Sequence, residues 1–366
     1  MDDRMKRRSL AALVVAAVWF AAGAARADDP AQDPAQAQRA PRPALMAPLA
    51  ASAPLLDLAR AGRRLVAVGA RGNIVVSDDG RDWQQVHSPV DVMLTRVFFL
   101  DARRGWAVGY DGAILQTGDG GRHWSVQRWV PDRGPLYDVL FLDAQRGFAV
   151  GSYGALLRSD DGGAHWQEID SPIREPGLHF NAIARLADGT LFIAGERGML
   201  ARSADEGASW TMLDSPYRGS MFGVLPSGAH GAMIFGLRGS IYVTDDARAV
   251  RSIAVDGWDE FDRETVSDPA ALAALGWRHV DSPSHESLFR GIADGDQALL
   301  TGVNGVVLQV PADGGPVRAL ASAENETLSG LQPFDGQWIA VGLRGARALP
   351  VVAATSPRLA TAGAKP

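Results

Sequence analysis

The sequence contains no cysteine. That absence excludes disulfides, thiolate metal sites and cysteine nucleophiles together, so packing alone must hold the fold. Lysine is almost missing, present only as Lys6 and Lys365, and nearly every cation is therefore a guanidinium, a group suited to bidentate carboxylate contacts. The seven histidines show no metal-ligand spacing, and neither Gly-x-Ser-x-Gly nor His-Glu-x-x-His occurs. No catalytic residue, metal or cofactor is expected on that basis. The net charge of −6 over 366 residues is the wrong sign for a nucleic-acid or anionic-membrane binder.

Long apolar runs are absent outside the first 27 residues. There Arg4, Lys6, Arg7 and Arg8 precede an apolar stretch over 10–22 and the small-x-small site Ala25-Arg26-Ala27. This pattern predicts a signal peptide over 1–27, cleaved after Ala27; the apolar run is short for a retained membrane anchor. The leader's five cations and two anions contribute +3, so the mature chain would carry −9. A soluble, monomeric protein of a bacterial periplasm is expected. Residues 28–52, rich in Ala and Pro, read as a linker.

What the chain has in abundance is glycine, 41 residues, and it recurs in register. The pattern apolar-Val-Gly-x-x-Gly occurs seven times, with first glycines at Gly69, Gly109, Gly151, Gly195, Gly236, Gly302 and Gly342. Five of the six steps between them are 40–44 residues, and one longer step of 66 follows Gly236. A second marker, Ser/Thr-x-Asp-x-Gly-x-x-Trp, follows the early copies, with Asp119 and Trp124, Asp161 and Trp166, and Asp205 and Trp210, and one residue shorter with Asp79 and Trp83. Ser-Pro recurs after Trp83, Trp166, Trp210 and Trp277. Between the markers lie short apolar strands, as in Thr95-Arg96-Val97-Phe98-Phe99-Leu100 and Tyr137-Asp138-Val139-Leu140-Phe141-Leu142.

Four short strands with Gly/Asp turns per repeat describe one propeller blade. The predicted fold is all-β: a seven-bladed β-propeller of four-stranded antiparallel blades over 53–352, with a tail at 353–366. The last copy lacks a Trp segment, so a strand near 45–49 or the tail from Pro357 is expected to complete it. The fifth blade carries an insertion over 247–276. It is acidic and aromatic at Trp258 and Phe261, and Asp268-Pro269 followed by Gly276 signals a short helix.

These repeats resemble the BNR/Asp-box propellers of the WD40/YVTN-like superfamily. More narrowly, the Val-Gly-x-x-Gly-x-Ile/Leu-Leu-x-Ser/Thr-x-Asp-Gly-Gly-x-x-Trp cadence is similar to the photosystem II assembly and stability factor-like propellers, over about 53–350. The resemblance implies a lumenal or periplasmic, non-catalytic docking chaperone for membrane-protein assembly, with an arginine-rich surface receiving its partner. It also implies, in non-photosynthetic bacteria, an association with RND-type membrane transporters. The other reading is a carbohydrate-binding or glycoside-cleaving Asp-box propeller.

A residue that holds the same place in several blades does the same structural work in each. Asp79, Asp119, Asp161 and Asp205 are therefore read as turn residues, as are Asp101, Asp143 and Asp188 after the first strand. Trp83, Trp124, Trp166, Trp210 and Trp277 are read as blade packing. The second x of Gly-x-x-Gly varies instead: Arg71, Asp111, Tyr153, Arg197, Arg238, Asn304 and Arg344. Either Arg71, Arg197, Arg238 and Arg344 form a ring that docks carboxylates, or arginine simply suits an exposed turn in an arginine-rich chain. Trp258 and Phe261 are the other candidate partner contacts, with packing over the blade as the alternative.

Overall fold

Runs of four to seven residues that pack on both faces, cut by Gly and Asp turns, form strands too short to bury themselves except by stacking sheet on sheet. In the computed structural model, which describes residues 40–257, 264–312, 315–321, 325–349 and 352–353, these runs build seven antiparallel sheets. Blade 1 comprises β1–β4 (Leu55–Ala61, Arg64–Gly69, Ile74–Ser77, Gln84–Gln85), and blade 2 comprises β5–β8 (Leu94–Phe99, Gly105–Gly109, Ile114–Thr117, Ser125–Arg128). Blade 3 is β9–β12 (Leu136–Phe141, Gly147–Gly151, Leu156–Ser159, Gln167–Glu168), and blade 4 is β13–β16 (Phe180–Arg185, Leu191–Gly195, Leu200–Ser203, Thr211–Met212). Blade 5 is β17–β20 (Met221–Ser227, Gly231–Gly236, Ile241–Thr244, Arg278–His279), and blade 6 is β21–β24 (Leu288–Asp294, Gln297–Gly302, Val307–Pro311, Arg318–Ala321). Blade 7 has β25–β27 (Leu328–Phe334, Gln337–Gly342, Gly345–Leu349), and β28 (Val352–Ala353) pairs with β24 of blade 6.

The first strands of successive blades touch around the ring, and β25 meets β1 to close it. Each carries a register shift at its second residue, a bulge that turns that side chain toward the next blade. There Thr95 donates to the Leu136 carbonyl (2.6 Å), Asn181 Nδ2 to the Met221 carbonyl (2.9 Å) and Ser329 to the Leu55 carbonyl (2.7 Å). The last of these, with Gln332 Nε2 on the Leu58 carbonyl, joins the final blade to the first.

The core lies between blades. Phe148 and Trp210 share one interface, Phe192 and Trp277 the next. The Asp-box tryptophans meet phenylalanines edge-on: Trp124 on Phe99, Trp166 on Phe141, Trp210 on Phe148 and Trp277 on Phe192. Trp277 thus fills the same place as the others despite arriving after the insertion. Within that insertion the expected helix forms over Pro269–Ala274, with Asp268 accepting from the Ala271 N–H, and Leu272 and Leu275 are buried against blades 4 and 5.

The sequence expectation for the N-terminal segment needs correction. Residues 45–49 form no strand on blade 7. They lie beside blade 1, where Ala47 donates to Gln85 Oε1 and Gln85 Nε2 to the Leu45 carbonyl, because the short linker into β1 brings them to the end of β4. The tail from Pro357 and the leader over 1–27 lie outside the described residues.

Candidate docking face

The two turn motifs occupy opposite ends of the third strand in blades 1–4. On one face, the Asp-box carboxylates cap backbone N–H groups. Asp79 accepts from Arg81 and Asp82, Asp119 from Arg122 and His123, Asp161 from His165, and Asp205 from Ser209, all at 2.8–3.0 Å. His123 and His165 bond their own box aspartates through Nδ1 at 2.6 Å. The backbone N–H of His165 and its imidazole hold Asp161 at a pKa of about 2. After the first strand, N–H groups of Arg104 and Arg103 do the same for Asp101, and those of Arg146 and Gln145 for Asp143. Asp188 accepts from the Thr190 N–H at 2.9 Å. Each of these carboxylates accepts from N–H groups of its own turn.

On the opposite face stand the Gly-x-x-Gly turns. The first glycine is required by close approach: a Cβ on Gly69 would collide with the Pro54 carbonyl at the start of the blade's own first strand. The second x is left-handed in six blades, with φ of 56° at Arg71, 55° at Asp111, 52° at Tyr153, 51° at Arg197, 58° at Arg238 and 54° at Asn304. A non-glycine residue held there repeatedly is strained but projects its side chain from the turn. Arg71, Arg197 and Arg238 are exposed, and the Arg71 and Arg238 side chains make no hydrogen bond or ion pair with the described residues. Arg344 differs. Its turn between β26 and β27 is two residues long, Arg344 is not left-handed, and its guanidinium pairs with Glu326 at 2.5 Å. Trp258 and Phe261 lie outside the described residues.

Charged side chains that no repeat motif contains gather at the start of the first strands on this same face. The third residue of the first strand is Asp57, Arg96, Asp138 and Arg290 in blades 1, 2, 3 and 6. Arg96 Nε lies 2.8 Å from Asp138 and 3.5 Å from Asp57, and Arg290 Nε reaches Asp57 at 3.1 Å. Arg290 spans blade 7 to do so, where the equivalent residue is Gly330. Both carboxylates are buried and also accept from the next blade, Asp57 from the Val97 N–H and Asp138 from the Ile183 N–H, each at 3.0 Å. Burial pushes the Asp57 carboxyl up to about 6 against the pull of Arg96, and raises Asp138 likewise. The available signal was a charge inside an apolar strand at one repeat position.

The rest of the face is divided. Blades 2–4 present Tyr110, Tyr153, His179 and Glu196. There Tyr153 packs edge-on to His179 at 4.9 Å, and burial, with the Arg197 charge added, lowers the His179 pKa. Blades 5–7 present Leu237, Val303 and Leu343, with Phe222 against Phe289 at 5.3 Å. Among the described residues no group of three or more His, Asp or Glu is placed to hold a metal, and no helix is long and apolar enough to cross a membrane.

A family model described as photosynthesis system II assembly factor YCF48 matches residues 75–134 and 127–266, more than half of the chain. The chain belongs to the YCF48 family. A solved structure of YCF48 bound to D1 peptide is 17% identical, with a TM-score of 0.57, covering 87% of this chain and all of that one. YCF48 from Cyanidioschyzon merolae is also 17% identical, with a TM-score of 0.57, covering 82% of this chain and 96% of that one. The WD40 propeller of Doa1 is 10% identical, with a TM-score of 0.59, covering 81% and 92%. At these identities the structural likeness speaks for the fold. A comparison with curated proteins returns no match. The YCF48 model ends at residue 266, short of the helix, Trp277 and the last two blades.

Proposed function

We propose that this YCF48-family propeller is an exported, non-catalytic scaffold that docks a membrane protein or its precursor through the Gly-x-x-Gly face. One observation carries the reading: Arg71, Arg197 and Arg238 project from equivalent left-handed turns on one face, away from the turns that consume the Asp-box carboxylates. Guanidinium groups so placed suit charge-assisted bonds to a carboxylate-bearing segment. The D1 peptide bound to the related YCF48 supports a peptide ligand. Arg344, Trp258 and Phe261 are proposed as additional contacts, and an RND-type transporter as one candidate partner. The basic, apolar and small-residue pattern of the leader supports a periplasmic location. N-terminal sequencing of the mature protein should begin at Asp28; a chain starting at Met1 would count against export with cleavage. Affinity capture from solubilised membranes, read by mass spectrometry, should enrich one membrane complex with the wild-type chain. Enrichment of glycans instead would favour the carbohydrate reading.

A further inference from the structure

Blade 3 departs from the repeat at one point on the Gly-x-x-Gly face. Where Ser-Pro precedes the next blade, the first strand of that blade starts five residues after Pro89, Pro216 and Pro283, at Leu94, Met221 and Leu288. After Pro172 it starts eight residues on, at Phe180. The longer connection forms a 3-10 turn over Pro172–Arg174, which lies against the blade 3 turn Ser152–Gly154. Between them is a recess of about 400 Å³, lined by Tyr153, Asp170, Ser171, Pro172, Arg174 and Glu175.

Among the described residues Tyr153 is the only Phe, Tyr or Trp that stands mostly exposed, at 61%. It holds a left-handed position, with φ of 52°, that other blades give to Arg71, Asp111, Arg197, Arg238 and Asn304. Asparagine and aspartate adopt that conformation readily, and a bulky ring does not. The turn is held on three sides. The Tyr153 N–H donates to His179 Nδ1 (3.1 Å), the Gly154 N–H to the Leu178 carbonyl (2.8 Å), and Arg174 Nε to the Gly154 carbonyl (2.9 Å). A ring fixed in this way loses little freedom when a ligand lands on it.

The charges of the recess are not balanced from within. Arg174 is engaged through each of its three nitrogens, the other two donating to the Ile169 carbonyl (2.9 Å) and to Glu168 (3.0 Å). Asp170 and Glu175 are exposed, and their carboxylates make no hydrogen bond or ion pair with the described residues. An open aromatic face beside two unpaired carboxylates attracts a cation, the ring through its quadrupole and the carboxylates through charge. A guanidinium suits both, since it is flat enough to stack and its fork matches a carboxylate.

We propose that this recess receives an arginine side chain of the docked partner, stacked on Tyr153 and paired with Asp170 and Glu175. This rests on the docking reading above and extends it: the partner segment carries a cation for the recess as well as carboxylates for the arginine turns.

The test uses the full chain labelled with 3-fluorotyrosine, whose five tyrosines are followed by fluorine NMR, with the Tyr153 line identified by its loss in Tyr153→Asn. The probe is a glycine-spaced arginine peptide with blocked ends, and its citrulline counterpart has the same shape without the charge. The arginine peptide should move the Tyr153 line saturably and further than the other lines. By calorimetry, citrulline substitution, Tyr153→Asn or Asp170→Asn/Glu175→Gln should each weaken binding about tenfold or more, corresponding to about 1.4 kcal/mol or more. Neither variant should melt lower, because Asn304 already holds the same left-handed place in blade 6 and the two carboxylates pair with no described residue. A Tyr153 line unmoved by the arginine peptide, or equal binding of the citrulline peptide, would overturn the proposal. So would a shift produced by maltotriose instead, which would assign the recess to a glycan. Partner capture from solubilised membranes separates this idea from the one it rests on. Loss with Arg197→Glu/Arg238→Glu but full capture by Asp170→Asn/Glu175→Gln keeps the docking face and discards the recess. The reverse result keeps the recess and discards the arginine ring.

Discussion

At the residue scale, the repeat converts suggestive chemistry into turn chemistry. Asp101, Asp143, Asp161 and Asp205 all sit at about 2, below the ordinary 3.8, because N–H groups or a serine hydroxyl bond the ionised form. A depressed carboxylate stabilises the fold above its unfolded value and loses that contribution as pH falls through the folded one. Melting temperature should therefore decline between pH 4 and pH 2, and Asp143→Asn should lower the neutral-pH value while flattening the decline. An unchanged slope in that variant would contradict the assignment. The Asp57–Arg96–Asp138–Arg290 cluster makes a different demand. Asp57→Ala removes the ion-pair partner of Arg290 and leaves Arg96 with Asp138, both arginines being about one-fifth exposed. Breaking a buried pair by removing one partner costs about 3–5 kcal/mol, measurable by urea unfolding.

At the scale of elements, the Trp210–Phe148, Trp277–Phe192 and Trp106–Phe141 contacts tie neighbouring blades together, while Trp124–Phe99 and Trp166–Phe141 join residues of one blade. Trp277→Ala should cost about 3–5 kcal/mol, as for a buried large-to-small change, whereas Trp83→Ala, half-buried at the ring closure, should cost less. Equilibrium unfolding of the two variants checks the order. Blade number, strand succession and the placing of the two turn motifs were legible in the sequence because glycine, aspartate and tryptophan recur in fixed register. So was the helix at Pro269–Ala274, from its Asp-Pro start and Gly276, which has φ of 87°. The junction was not legible. Whether residues 45–49 pair with β27 or lie along β4 depends on contacts such as Gln85 on Leu45, which have no periodicity to betray them. The Asp57–Arg96–Asp138–Arg290 cluster was hidden for a related reason: it joins four blades, and the motifs describe only one at a time.

At the scale of the whole molecule, the ring closes through side chains and first-strand contacts, with no fourth strand on blade 7 among the described residues. Ser329→Ala removes the hydroxyl that bridges blade 7 to the Leu55 carbonyl, and should cost about 1 kcal/mol in a urea titration. The two faces are then left with different tasks. One is filled by self-satisfied Asp turns; the other shows left-handed arginines, a tyrosine-rich arc and an apolar arc. The docking claim is tested most directly by capturing the membrane partner with wild-type chain and with Arg197→Glu/Arg238→Glu in parallel, with melting recorded for both. The account predicts loss of the partner at unchanged melting temperature. Equal capture by the two proteins would contradict it.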